Sequence, residues 1–181
     1  MKIGIDISQL AYSQTGVANY LGSLILELVR IDRENQYVFF YSSLRRKLPS
    51  EYASLPAQYG NVTVKSYKLP PSVLDIMWNI VHKIPIEKFI GNVDIFISSD
   101  WTEPPSRSAK KATILYDMIV YKYPEETAKK IIDVQKRKLK WVKKETEIVF
   151  CISKSSARDA KDLLGIDGSR LKVLYPGITN I

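Results

Sequence analysis

The chain has 181 residues, 45% of them hydrophobic and 25% charged, which excludes a disordered polypeptide and leaves too little length for two ordinary domains. Its 27 Lys and Arg against 19 Asp and Glu give a formal charge of +8, a balance that draws anions such as a nucleotide, a nucleic acid or an acidic membrane face, or that simply keeps the protein soluble. One cysteine, Cys151, excludes an internal disulfide, and its place in the apolar run Ile148-Val149-Phe150-Cys151-Ile152 predicts a buried structural thiol.

Strand and helix signals alternate along the chain. Lys2 to Asp6 is a short apolar run ending in an acid and predicts a buried strand. After the polar turn Ser8 to Gly16, the recurrence of Val17, Tyr20, Leu21, Leu24, Ile25, Leu28 and Val29 predicts an amphipathic helix ending near Arg30. Tyr37 to Tyr41 and Val62 to Tyr67 predict the next two strands, separated by a basic, irregular stretch from Leu44 to Tyr59 read as loop with a short helix. Val73 to His82 has helical spacing, and Asp94 to Ser98 is a further apolar run. Ala112 to Tyr116 predicts a strand ending at Asp117, and Glu125 to Thr146 the longest helix, acidic at its start and lysine-rich toward its end, as the helix dipole favours. Ile148 to Ile152 predicts a strand, Ser153 an N-cap for a helix over Lys154 to Leu164, Gly165 its stop, and Leu171 to Tyr175 the last strand before Pro176-Gly177.

Buried strands joined by helical crossovers predict a single-domain α/β fold: a Rossmann-like, mainly parallel sheet with helices on both faces. Ligands of such sheets bind beyond the carboxyl ends of the strands, which selects Asp6 to Gly16, Ser98 to Trp101, Tyr116 to Met118 and Ser153. Gly16 and Val17, at the mouth of the first helix, are placed to approach a phosphate, or form a plain turn. Asp117 could orient a hydroxyl or accept a proton, or serve as a turn or capping acid. Trp101 could stack on a sugar face, or pack under a loop. The helix bearing Lys129, Lys130, Lys136, Arg137, Lys138, Lys140, Lys143 and Lys144 around Trp141 reads as a solvated cover for the sheet or a dock for anionic lipid.

Other chemistry fails on inventory. His82 is the only histidine, so neither a Cys/His zinc site nor a Ser-His-Asp triad is expected. Neither G-x-G-x-x-G nor a P-loop is present, and no nucleic-acid-binding module is recognisable, so no nucleic-acid partner is expected. The absence of an apolar signal core and of a run of spanning length leads to the expectation of a cytoplasmic protein, either soluble or peripheral at the inner face of the membrane.

In order and spacing, three segments resemble the N-terminal domain of the family 4 retaining glycosyltransferases of the GT-B fold. They are Ile5-Asp6 with Thr15-Gly16-Val17-Ala18-Asn19-Tyr20; Ile114-Leu115-Tyr116-Asp117-Met118-Ile119 with Tyr123-Pro124-Glu125; and Cys151-Ile152-Ser153 through Asp159, Leu163-Leu164-Gly165-Ile166 and Lys172 through Pro176-Gly177-Ile178. The resemblance runs over nearly the whole chain. It implies hexosyl transfer from a nucleotide-sugar to a glycan or lipid-linked acceptor with retention, in polysaccharide biosynthesis. The nucleotide-sugar would be a substrate, and neither a cofactor nor a metal is expected. By the same resemblance Gly16 and Val17 would approach the donor phosphates, and Trp101, Tyr116, Asp117 and Ser153 would line the acceptor site, with Asp117 the candidate catalytic residue. Residues 1–175 would form the acceptor-side domain and 176–181 the start of the interdomain linker. A donor-binding C-terminal domain, in cis or as a separate chain, would complete the enzyme, and this half alone is expected to be inactive. Two departures stand out: many relatives have His where this chain has Tyr116, and the usual Asn before the linker glycine is Pro176. The competing expectation is a non-catalytic module that binds a partner protein or an anionic membrane. Self-association through the cleft-facing side is a further expectation.

Overall fold

The computed structural model describes residues 1–177, so Ile178 and the remainder of the expected linker lie outside the described residues. Seven parallel strands form one sheet in the order β3-β2-β1-β4-β5-β6-β7. They are β1 (Lys2–Asp6), β2 (Gln36–Ser42), β3 (Val62–Tyr67), β4 (Ile95–Ser98), β5 (Lys110–Leu115), β6 (Ile148–Cys151) and β7 (Leu171–Val173). The expected Rossmann-like α/β architecture is present, with helices flanking the sheet.

The strand order reverses between β1 and β4, and that reversal sorts the helices. Crossovers between parallel strands are right-handed, so connections running one way along the sheet cover one face and those running the other way cover the opposite face. On the first face α1 (Gly16–Ile31), followed by the short α2 (Ser50–Ala53) and α3 (Leu55–Gln58), joins Leu21, Ile25, Val29 and Leu55 to Ile5, Phe39 and Ile114. On the second face α4 (Pro71–Leu74), a π-helical run Asp75–Val81 and α5 (Glu87–Ile90) bring Trp78, Ile86 and Ile90 onto Val38, Phe40 and Phe96. There too, α6 (Ile119–Lys122), α7 (Lys129–Glu145) and α8 (Lys154–Leu164) close over Leu115, Val149 and Cys151 through Val120, Leu139, Val142 and Ala160. Gly4 on central β1 makes room for this layer: a Cβ there would come within 2.6 Å of Ile90 Cδ1 and 2.9 Å of Phe96 Cδ2. Cys151 is the buried free thiol expected, and burial pushes it up to about 11.

Several boundaries differ from expectation for local reasons. The long helix starts at Lys129, because Thr127 and Ala128 are extended; Glu125 and Glu126 fall in a separate 3-10 turn, Pro124–Glu126, so no acid occupies the first turn of α7. The Val73–His82 segment is α-helical only to Leu74, then widens into the π-helix and ends at His82, which adopts a left-handed φ of 52° and donates its amide to Met77 O at 3.0 Å. The wider turn places Asp75, Trp78 and Asn79 together on the inner side. The last strand stops at Val173 rather than Tyr175. No helix among the described residues is long and apolar enough to cross a membrane.

Candidate functional site

A groove of about 670 Å³ opens at the carboxyl edge of the sheet, between α1 and the segment following β7. Gly16, Val17 and Tyr20 of α1 line it together with Tyr116 and Asp117 after β5, Ile152 after β6 and Leu174 to Gly177 after β7. The helix mouth is built by Thr15, whose Oγ1 accepts from Ala18 N at 3.2 Å while its carbonyl accepts from Asn19 N at 3.0 Å. The two earlier amides, those of Gly16 and Val17, stand at the positive end of the helix dipole. A Cβ added at Gly16 would meet no atom within 4 Å, so the space beside it is open rather than filled by the chain's own packing.

Two tyrosines join α1 to the strand ends. Tyr20 donates its hydroxyl to Leu174 O at 3.0 Å and meets the Tyr116 ring edge-on, with centroids 5.6 Å apart. Burial pushes the Tyr20 phenol up to about 12 and the Tyr116 phenol higher still, so neither ionises near neutrality. Tyr116 is buried and its hydroxyl shares a hydrogen bond with Ser99 Oγ at 3.2 Å, which commits it to the interior. Asp117 is exposed, and its Oδ1 accepts from Ile119 N at 3.0 Å. Its carboxylate is therefore both a turn-forming acid and a charge at the lip of the groove, able to accept a hydroxyl hydrogen bond.

The structure thus brings Gly16, Val17, Tyr116 and Asp117 together and leaves two other expected site residues outside. Ser153 caps α8, its Oγ accepting from Ser156 N at 3.0 Å and lying 2.9 Å from Ser156 Oγ, and is not among the groove-lining residues. Trp101 lines a separate hollow of about 530 Å³ with Tyr12, Pro71, Lys129, Lys130 and Arg137, and its indole donates to Gln9 Oε1 at 3.0 Å. The convergence of Gly16, Trp101 and Asp117 on one crevice is therefore incomplete: two of the three share a groove.

The switch point between β1 and β4, where open parallel sheets most often take ligands, holds a cluster of the chain's own charges. Lys138, expected on the solvated face of α7, is 1% exposed, and its ammonium donates to Ser99 O. The charges of Asp6, Asp100 and Glu103 act on it. Burial lowers the Lys138 ammonium below the usual lysine range, opposed by those three carboxylates. Burial raises the carboxyls of Asp6 and Asp100, opposed by Ser8 and Lys138 at the first and by Lys138 and Gln135 at the second. Behind them Glu103 pairs with Lys111 at 3.0 Å, and Lys111 also reaches Glu145 at 3.1 Å. Glu145 continues to His82 at 3.1 Å, and the His82 ring lies flat on Trp141 with centroids 3.5 Å apart. Arg137 closes the chain of contacts on Asp75.

This network clamps α7 and the π-helix to the sheet edge. It was missed because lysines and glutamates default to the surface. Lys138 lies next to Leu139 and four residues before Val142 in α7, and that spacing was the available signal. Among the described residues no group of three or more His, Cys, Asp and Glu is placed to hold a metal. No protein-family model and no curated protein matches the chain.

Proposed function

We propose that this chain is the acceptor-side half of a retaining, sugar-nucleotide-dependent glycosyltransferase of the GT-B type. The observation that carries the proposal is a groove shared by an open helix N-terminus, at Gly16 and Val17, and an exposed carboxylate, Asp117, at the carboxyl edge of an all-parallel sheet. The motifs Thr15-Gly16-Val17 and Tyr116-Asp117-Met118, which lie far apart in the sequence, supply those two features. The helix end suits the negative charge of a sugar diphosphate. Asp117 suits the orientation of a sugar hydroxyl, and the apolar floor around Tyr20, Leu24 and Ile152 suits a ring face.

Transfer needs a second set of groups to neutralise the departing nucleotide diphosphate, where transition-state stabilisation is largest. Those groups belong to a donor-binding domain, so these residues alone bind acceptor without turning over. The test is amide-resolved NMR titration with glycan and lipid-linked acceptors and with a panel of nucleotide-sugars, followed by transfer assays with and without an added donor-binding domain. The proposal expects shifts centred on Gly16–Asn19 and Asp117, reduced about tenfold or more in affinity by Asp117→Asn as a charge-assisted hydrogen bond is lost. It also expects transfer only when the second domain is supplied. Sugar transfer by these residues alone, or shifts confined to other surfaces, would refute it. Saturable NAD binding in the groove would instead favour a redox domain.

A further inference from the structure

The π-helix that follows α4 carries an unusual outer side. Leu74, Asp75, Trp78 and Asn79 face inward. The intervening positions Val73, Ile76, Ile80, Val81 and Ile84 are exposed, Ile76 and Ile80 to 53% and 54%. Val73, Ile76 and Ile80 recur at three- and four-residue spacing and, with Val81 and Ile84, make an apolar ridge that no described residue covers. The pattern differs from scattered surface leucines, because five β-branched residues fall within a dozen positions.

The ridge runs beside α7 in the same direction. Asp75 meets Arg137, Trp141 donates to Asn79 O at 2.8 Å, and His82 meets Glu145, so the two elements lie side by side over the same sheet face. The exposed side of α7 is cationic: Lys129, Lys130, Lys140 and Lys144, with Lys136 over Tyr121 and Lys143 beside Gly165 on its far flank. Between the two rows lies half-buried Trp141, with the Lys140 and Lys144 ammoniums 5.6 and 5.0 Å from its ring centre. Lys83 extends the positive rim past the end of the π-helix. The acids of this face are mostly spent internally, Asp75 on Arg137 and Glu145 on His82 and Lys111, which leaves Asp133 as the exposed carboxylate of α7.

We propose that this face docks on an anionic membrane, with Val73, Ile76, Ile80 and Ile84 entering the headgroup boundary and the α7 lysines holding the phospholipid charges. Charge complementarity selects this occupant. A second copy of the chain would bring its own basic row against this one. An anionic bilayer supplies both halves of what the surface presents, an apolar layer beneath a negatively charged one. The long lysine stems can lie along the ridge while their ammoniums reach the phosphates. The sequence directed attention to α7 alone; the apolar component comes from the neighbouring π-helix. This inference is independent of sugar transfer and stands or falls separately.

The experiment is vesicle co-sedimentation. The protein should pellet with equimolar phosphatidylglycerol and phosphatidylcholine, stay in solution with phosphatidylcholine alone, and release as salt is raised. Ile76→Ser with Ile80→Ser should weaken partition by about tenfold or more, from the apolar area withheld from the bilayer. Lys140→Glu with Lys144→Glu, at exposed positions where folding is not at stake, should weaken it comparably. Ile148→Ser, on an exposed strand residue away from the ridge, should leave it unchanged. Equal pelleting with both lipid compositions would overturn the proposal, as would failure to bind the anionic vesicles or indifference to both double variants. Concentration-dependent dimerisation that the isoleucine variant abolishes, without vesicle binding, would assign the ridge to a contact between copies instead.

Discussion

Lys138 lies on a helix whose other lysines face solvent, yet its ammonium is buried, bonded to the Ser99 carbonyl and acted on by the charges of Asp6, Asp100 and Glu103. Breaking a buried charge cluster by removing one member leaves the rest uncompensated, at a cost of about 3–5 kcal/mol. Lys138→Met should therefore lower stability at neutral pH by an amount of that order, measured by denaturant unfolding. The pH dependence has a defined sign. Asp6 and Asp100 have folded values raised above the ordinary 3.8, so their contribution to stability is fully present below that value and is lost as pH rises through the raised ones. Removing the cation raises both further. The deficit of the variant should accordingly shrink as pH is lowered from neutral toward the carboxylate range. A deficit that stays constant or grows on acidification would mean that Lys138 serves packing rather than charge. Asp117 was legible as a carboxyl-edge acid because it directly follows an apolar run. Lys138 was legible only through its position in the helical period, a weaker signal than its residue type.

Helix α8 starts where the sequence placed its cap, at Ser153, and α1 is capped in the same way by Thr15. Thr15 and Ser153 each take an amide three residues on, at 3.2 and 3.0 Å. Gly165 ends α8 in a left-handed conformation with its amide on Lys161 O at 2.9 Å. A lost N-cap costs about 1 kcal/mol. Ser153→Ala should lower thermal stability by about 2–4 °C for a chain of this size and leave ligand affinity in the groove unchanged. A selective loss of acceptor affinity without loss of stability would return Ser153 to the site. Capping is written in adjacent residues, which is why it was readable. The π-helix was not: its wider turn is held by Asn79 bonding both Asp75 Oδ1 and Trp101 O, and the latter contact crosses 22 positions. Likewise the break between Pro124–Glu126 and α7 lies in extended backbone at Thr127 and Ala128, which no strong breaker residue marks.

At the scale of the whole molecule, the parallel sheet grades from a doubly paired centre to a thin edge. β1 is held by both β2 and β4, whereas β7 contributes three residues to β6 alone. Opening free energies rise from edges to core. Hydrogen exchange should therefore be slowest for the amides of β1, β4 and β5, and faster at β7 by about a hundredfold or more. Uniform protection across the sheet would show that the groove wall after β7 is as firmly held as the core. Since Leu174 to Gly177 form that wall, the gradient also sets how readily the groove opens.

The sequence by itself determined the class of fold, most element positions and the four residues that now share the groove. Apolar runs, helical spacing, caps and turn glycines are local properties, and burial enforces them residue by residue. Only the tertiary structure decided the strand order, the split of Trp101 from Asp117 into separate hollows, and the burial of Lys138 and Glu103. Those outcomes depend on which way each crossover turns and on contacts such as Gln9 with Trp101, 92 positions apart. No local pattern encodes a partner at that distance: it is fixed when the sheet assembles and charged groups left at its edge find one another.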